Sequence, residues 1–130
     1  MGDTLTKYKA IGICGSLREG SFNKTILDFM SENSPEELEI EIVSIKELPI
    51  YNEDVEKEGF PFPVKNIRNK IREADAIIMI SPEYNSSISG VLKNAIDWIS
   101  RKDDEGYPFS KKPILIGPLY YTVQLSKIKT

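Results

Sequence analysis

The sequence predicts a three-layer α/β protein, a doubly wound parallel sheet with helices on both faces. Three observations predict it. Four short apolar runs alternate with stretches whose apolar residues recur at helical spacing. One run, Ala76-Ile77-Ile78-Met79-Ile80, is apolar without interruption, as a central strand covered on both faces reads. The connections between runs are of helix length, so successive strands run parallel through right-handed crossovers.

Each element has its own signal. Tyr8 to Cys14 is an apolar run ended by Gly15 and reads as a buried strand. The turn-rich segment GSLREGS follows. From Asn23 onward Ile26, Leu27, Phe29 and Met30 share one helical face, which fails at Asn33-Ser34-Pro35. Ile40, Ile42 and Val43-Ser44-Ile45 form a second strand, and alternation with Glu39 and Glu41 marks it as an exposed edge. Pro49 to Pro63 reads as loop, its acidic stretch from Glu53 to Glu58 as solvated surface. Val64, Ile67 and Ile71, with charged residues between them, make a second helix. Ala76–Ile80 is the central strand. Gly90 to Ser100, with Val91, Leu92, Ala95, Ile96 and Ile99, is a third helix, and Pro113 to Ile116 a fourth strand.

Composition narrows the chemistry. The 130 residues suit one domain, with no repeat or linker to divide them. The absence of histidine excludes a Ser-His-Asp triad, a Cys-His pair and an H-E-x-x-H zinc site. A single cysteine, Cys14, can form neither an internal disulfide nor a C-x-x-C site, which suits a reducing cytoplasm. A formal charge of -3 argues against nucleic acid and anionic membranes as partners. No run is long enough to span a bilayer, and Gly12 and Gly15 interrupt the only N-terminal apolar stretch, so no secretion signal is expected.

Ligands of such a sheet sit beyond the carboxyl ends of its strands, where the strand order reverses. The loops after Cys14, Ile45, Ile80 and Ile116 are therefore the places to look. The first, Gly15 to Asn23, joins a buried strand to a helix N-terminus, whose N–H groups and positive dipole end attract phosphate. Ser16 and Ser21 add hydroxyls, Arg18 a cation and Asn23 an amide. Gly15 and Gly20 have Walker A spacing, but Ser21-Phe22 stands where that motif needs its lysine and hydroxyl, and G-x-G-x-x-G is absent. The third loop, Ser81 to Gly90, carries Tyr84 and suits a planar heterocycle. Read by residue type alone, the same serines and glycines also serve as turn and cap residues, with Ser89 capping a helix. Cys14 reads as a small buried residue, Trp98 and Ile99 as packing or interface residues.

GSLREGSFNKT, LPIYNED and SPEYNSSISGVLKNAIDW, each following a strand, resemble the NADPH-dependent FMN reductase family, over residues 7 to 117. The family has a flavodoxin-like fold and includes azo-, quinone- and chromate-reducing enzymes. The resemblance implies an NAD(P)H-dependent oxidoreductase that passes electrons through FMN to a small flavin, quinone, azo or metal-oxyanion acceptor, with NADPH or NADH as co-substrate. By position, Ser16, Arg18, Ser21 and Asn23, with backbone N–H groups around Phe22, would hold the phosphate. Pro82, Glu83, Tyr84, Asn85 and Ser86 would line the ring edge. No catalytic side chain and no metal is implied, which fits a chain without histidine. The family's homodimers or homotetramers make the GVLKNAIDWIS helix, with Trp98, the natural interface.

Two features depart from the family pattern. Ser89 stands where a proline is common, a change expected to loosen the loop. After Gly117 the residues LYYTVQLSKIKT match no family element, so residues 1–117 are expected as the FMN-binding domain and 118–130 as an atypical tail. The fifth strand and last helices are then expected to be missing. A non-catalytic flavin-binding or interaction module is the competing reading.

Overall fold

Helix ends follow from residues already visible as caps. In the computed structural model, which describes residues 6–81 and 88–116, Ser21 precedes α1 (Phe22–Glu32) in extended backbone and its Oγ accepts the Asn23 N–H at 3.2 Å. Asn33 closes α1, its side-chain amide donating to the Phe29 carbonyl at 2.9 Å. Asn52 caps a short α2 (Glu53–Lys57), accepting from Asp54 N at 2.8 Å. Pro61 and Pro63 set the entry of α3 (Phe62–Glu73), where missing N–H groups cost nothing. Ser89 caps α4 (Gly90–Ile99).

Among the described residues four strands, β1 (Tyr8–Cys14), β2 (Leu38–Val43), β3 (Ala76–Ile80) and β4 (Ile114–Ile116), form one parallel sheet ordered β2-β1-β3-β4. This is the doubly wound order expected of a flavodoxin-like sheet. β2 lies at an edge, as its glutamates predict. It stops at Val43, two residues short of the expected Ile45, which still packs in the core at 5% exposure.

Alternate residues of β1 and β3 enter opposite layers. Ala10, Ile78 and Ile80 meet Leu27 of α1 on one face. Ile11, Ile13, Ile77 and Met79 meet Ile67, Ile71, Leu92, Ala95 and Ile99 of α3 and α4 on the other. Each such side chain contributes about 1.5–3 kcal/mol of burial, and two-sided burial is why these runs carry no polar break. α1 lies so close to β1 that a Cβ on Gly12 would stand 3.1 Å from Leu27 Cδ2.

The stretch expected as solvated loop holds α2, and Glu56 within it is engaged. It accepts from the Tyr51 hydroxyl at 2.5 Å and from Arg101 Nε at 3.0 Å. A buried charge, Arg68, ties α3 to α4. At 1% exposure it donates to the Trp98 and Ile99 carbonyls at 2.8 and 3.2 Å, lies 4.1 Å over the Phe60 ring, and pairs with Asp103 at 2.9 Å. Burial alone would push the Asp103 carboxyl up; hydrogen bonds from Arg68, Arg72 and the Glu105 N–H bring it down to about 2.

Candidate functional site

The sheet's order reverses between β1 and β3, which places a crevice beyond Cys14 and Ile80, a residue pair in register. Gly15 N–H donates to the Ile80 carbonyl at 2.7 Å, carrying the ladder one residue further. A Cβ on Gly15 would stand 2.6 Å from Ser81 Oγ and 2.7 Å from Ser81 Cβ, so only glycine permits this approach. Ser89 completes the junction. Its N–H donates to Ser81 Oγ at 3.1 Å, its hydroxyl donates to the Gly15 carbonyl at 2.6 Å, and the same oxygen accepts the Leu92 N–H at 3.2 Å. These bonds hold Ser81, just after β3, against Ser89, just before α4. Residues 82–87 of the loop expected to loosen at Ser89 lie outside the described residues, and Ser89 itself is held by these bonds. Its φ of −65° is the angle a proline would hold, and serine at that angle adds hydrogen bonds from both its N–H and its hydroxyl.

Five of the expected site residues fall within one strand-to-helix turn. Ser16 is half-buried and its Oγ accepts from Arg18 N at 3.4 Å. Ser21 N–H donates to the Arg18 carbonyl at 3.3 Å, around Gly20 in the left-handed region at φ 72°. Ser21 is buried as the cap, Asn23 half-buried and Phe22 exposed. Thr25 N–H to the Ser21 carbonyl is the first backbone bond of α1, so the N–H groups of Phe22 and Lys24 have no place in the helical ladder. No acidic residue in the first turn neutralises this end, and Arg18 has no ion-pair partner among the described residues. Uncommitted N–H groups, hydroxyls, a guanidinium and a positive helix end form a donor set that fits a phosphate. Pro82, Glu83, Tyr84, Asn85 and Ser86 lie outside the described residues, as does the tail 118–130. Cys14 is half-buried rather than buried, its thiol donating to the Ser16 carbonyl at 3.5 Å.

Sequence reading missed how the second loop is held. Asn94 accepts from Tyr51 N–H at 2.7 Å and donates to the Pro49 carbonyl at 2.9 Å. Trp98, one turn along α4, donates from its indole to the same carbonyl at 2.8 Å. Tyr51 meets the Trp98 ring edge-on, centroids 4.9 Å apart. Trp98 is fully buried, so it packs the loop and presents no interface surface on α4. LPIYN and KNAIDW thus belong together because one fastens the other.

A doubly wound parallel sheet with an anion-attracting β1–α1 turn at its reversal point defines the nucleotide-binding class of α/β proteins. The family model for NADPH-dependent FMN reductase matches residues 8–122, past Gly117, and the chain belongs to that family. It is 49% identical over 108 residues to an NAD(P)H-dependent FMN reductase of Pseudomonas aeruginosa, covering 83% of this chain and 57% of that protein. It is 42% identical over 112 residues to a quinone reductase of Escherichia coli K12, covering 85% and 58%. The flavoenzyme NAD(P)H:(acceptor) oxidoreductase FerB of Paracoccus denitrificans superposes with a TM-score of 0.76 at 32% identity, over 85% of this chain and 60% of FerB. The fold is flavodoxin-like, and the chain spans little more than half the length of these relatives. Among the described residues no helix is long and apolar enough to cross a membrane.

Proposed function

We propose that this chain acts as an NAD(P)H-dependent FMN oxidoreductase that delivers electrons to a quinone or similar small acceptor. The observation that carries this is the unneutralised α1 N-terminus at the β1/β3 crevice, in a chain of this family. In this reading Ser16, Arg18, Ser21 and Asn23, with the N–H groups around Phe22, hold the phosphate of FMN. Residues Pro82 to Ser86 line its ring edge. FMN, when bound, supplies the two-electron redox chemistry. The chain's own part is to bind and orient. The first turn neutralises the phosphate, and the Gly15–Ser81–Ser89 junction keeps that turn in a fixed relation to the end of β3 and the start of α4. No protein acid or base is assigned a proton transfer. Relatives named quinone reductases support the acceptor class. A single cysteine supports a cytoplasmic setting, and assembly as a homodimer or homotetramer belongs to the same proposal.

The test has two stages. Purified chain is titrated with FMN and followed by flavin fluorescence, and NADPH is then added without air. Binding followed by loss of the flavin's visible absorbance is expected. No FMN binding would sink the proposal, and binding without reduction would leave the flavin-binding module as the function.

A further inference from the structure

The two edges of the sheet are finished differently. β2 carries Glu39 and Glu41, and Glu41 pairs with Lys9 at 2.7 Å and with Lys70, so charge guards that edge. β4 is Ile114-Leu115-Ile116, without a charge or a proline, and these residues are 38, 40 and 40% exposed. Register sets Ile114 and Ile116 beside Ile77 and Met79, in the layer of α3 and α4, and Leu115 beside Ile78, in the layer of α1. β4 is therefore apolar toward both faces, the pattern of an interior strand. Yet among the described residues its far edge meets no other strand. Ile77 N–H donates to the Pro113 carbonyl at 3.1 Å, so Pro113 and Leu115 turn their backbone groups to β3, and those of Ile114 and Ile116 point to the open edge.

The residues that follow β4 in the sequence suit that edge. Leu119, Tyr121, Val123 and Leu125 alternate with Tyr120, Thr122, Gln124 and Ser126, the pattern of a strand with one apolar and one solvated face. Tyrosine, threonine and valine also favour strands. Between Ile116 and Leu119 stand Gly117 and Pro118 alone. A parallel return needs a crossover of a dozen or more residues, so a strand that starts at Leu119 can meet β4 only as an antiparallel hairpin. A two-residue turn of type II′ takes glycine first, and the φ of about −65° that proline holds suits its second position.

We propose that the open edge of β4 is the docking site of the chain's own residues 119–125, laid along it as an antiparallel strand. A two-residue turn pairs Ile116 with Leu119 and Ile114 with Tyr121 through hydrogen bonds, which engages the two β4 residues whose backbone groups point outward. It sets Leu115 opposite Tyr120 in the non-hydrogen-bonded pair between them. Leu119 and Tyr121 then extend the apolar layer of α3 and α4, and Tyr120 covers Leu115 on the other face. A slip of one residue would turn every one of these side chains to the wrong face. This edge is independent of the flavin reading above.

The test is disulfide trapping in the full chain carrying Cys14→Ala, equilibrated in a glutathione redox buffer. Leu115→Cys with Tyr120→Cys sets two thiols on one face with Cα atoms about 4.5 Å apart, within disulfide reach. Leu115→Cys with Tyr121→Cys sets them on opposite faces. The first pair is expected to close within the chain with an equilibrium constant about tenfold or more above that of the second. Equal closure of the two pairs, or no closure of the first, would overturn the proposal. Closure between chains would overturn it in favour of a second copy on this edge. Hydrogen exchange on the unsubstituted chain checks the same register without cysteines. The Ile114 and Ile116 amides should exchange about tenfold or more below their unstructured rates at every protein concentration. Unprotected exchange at both, or protection that grows with concentration, would refute pairing within the chain.

Discussion

Removing the Ser89 hydroxyl tests the junction at the reversal point most directly. Ser89 is 3% exposed, and its Oγ joins β1 to α4 by donating to the Gly15 carbonyl at 2.6 Å while accepting Leu92 N–H at 3.2 Å. Ser89→Ala keeps the backbone and the N–H bond to Ser81 but loses both hydroxyl bonds. Loss of the helix cap costs about 1 kcal/mol, and leaving the Gly15 carbonyl without this donor costs about 1–3 kcal/mol. The sum, about 2–4 kcal/mol, is a large share of the roughly 5–15 kcal/mol by which a domain is stable. At about 3–4 °C per kcal/mol for a chain of this size, Tm should fall by about 6–16 °C in far-UV circular dichroism. Amide hydrogen exchange at Leu92 should accelerate with it. Ser89→Pro fits the existing φ and gains about 0.4–1 kcal/mol from a stiffer unfolded chain, yet gives up the N–H bond as well. It should therefore unfold within about 1 kcal/mol of Ser89→Ala. A Tm for Ser89→Ala indistinguishable from the parent chain would refute the claim that this hydroxyl holds the junction.

Three further substitutions probe other parts of the molecule. Arg18→Ala should weaken FMN binding by about 1.5–3 kcal/mol, roughly 10- to 150-fold, in a fluorescence titration; unchanged affinity would remove Arg18 from the phosphate. Asp103, held down at about 2, should stabilise the fold fully above its unfolded value of 3.8 and lose that contribution as pH falls toward 2. The contribution is worth about 2 kcal/mol, so Asp103→Asn should flatten the acid limb of a denaturation-versus-pH curve, and an unaltered limb would contradict the pairing. Asn94→Ala should release the Pro49–Tyr51 loop at a cost of about 1–3 kcal/mol, read as faster proteolysis near residue 50; equal cleavage rates would show that Trp98 suffices alone.

How much of this was legible depended on whether burial left a pattern along the chain. β1 and β3 were readable to the residue, because two-sided burial admits no polar side chain between Ala10 and Ile13 or between Ile77 and Ile80. α1 and α4 showed through their caps and helical spacing. α2 did not, since Val55 is its only apolar residue and its neighbours are held by Asn52 and by Tyr51 and Arg101 on Glu56. Arg68 had a signal that was passed over. It lies four residues after Val64 and three before Ile71, on the apolar face of α3, yet its partners at Asp103 and the end of α4 are distant in sequence.

The candidate site divides the same way. Topology alone directs attention to the turn after β1, because a sheet whose first crossover runs one way and second the other must open a crevice there. Residue types then add hydroxyls and a cation to it. The clasp beneath could not be read so. Ser81 and Ser89 belong to a residue type common in turns and caps, and Ser89 is indeed a cap. What makes it more than a cap is that its proton reaches the carbonyl of Gly15, 74 positions away. That bond needs a glycine just past the end of β1, because a Cβ there would meet Ser81 first. Gly15 and Ser89 therefore depend on each other. Gly15→Ala should displace the clasp even with both serines in place, and if the junction acts as one unit, combining it with Ser89→Ala should cost less than the sum of the two alone.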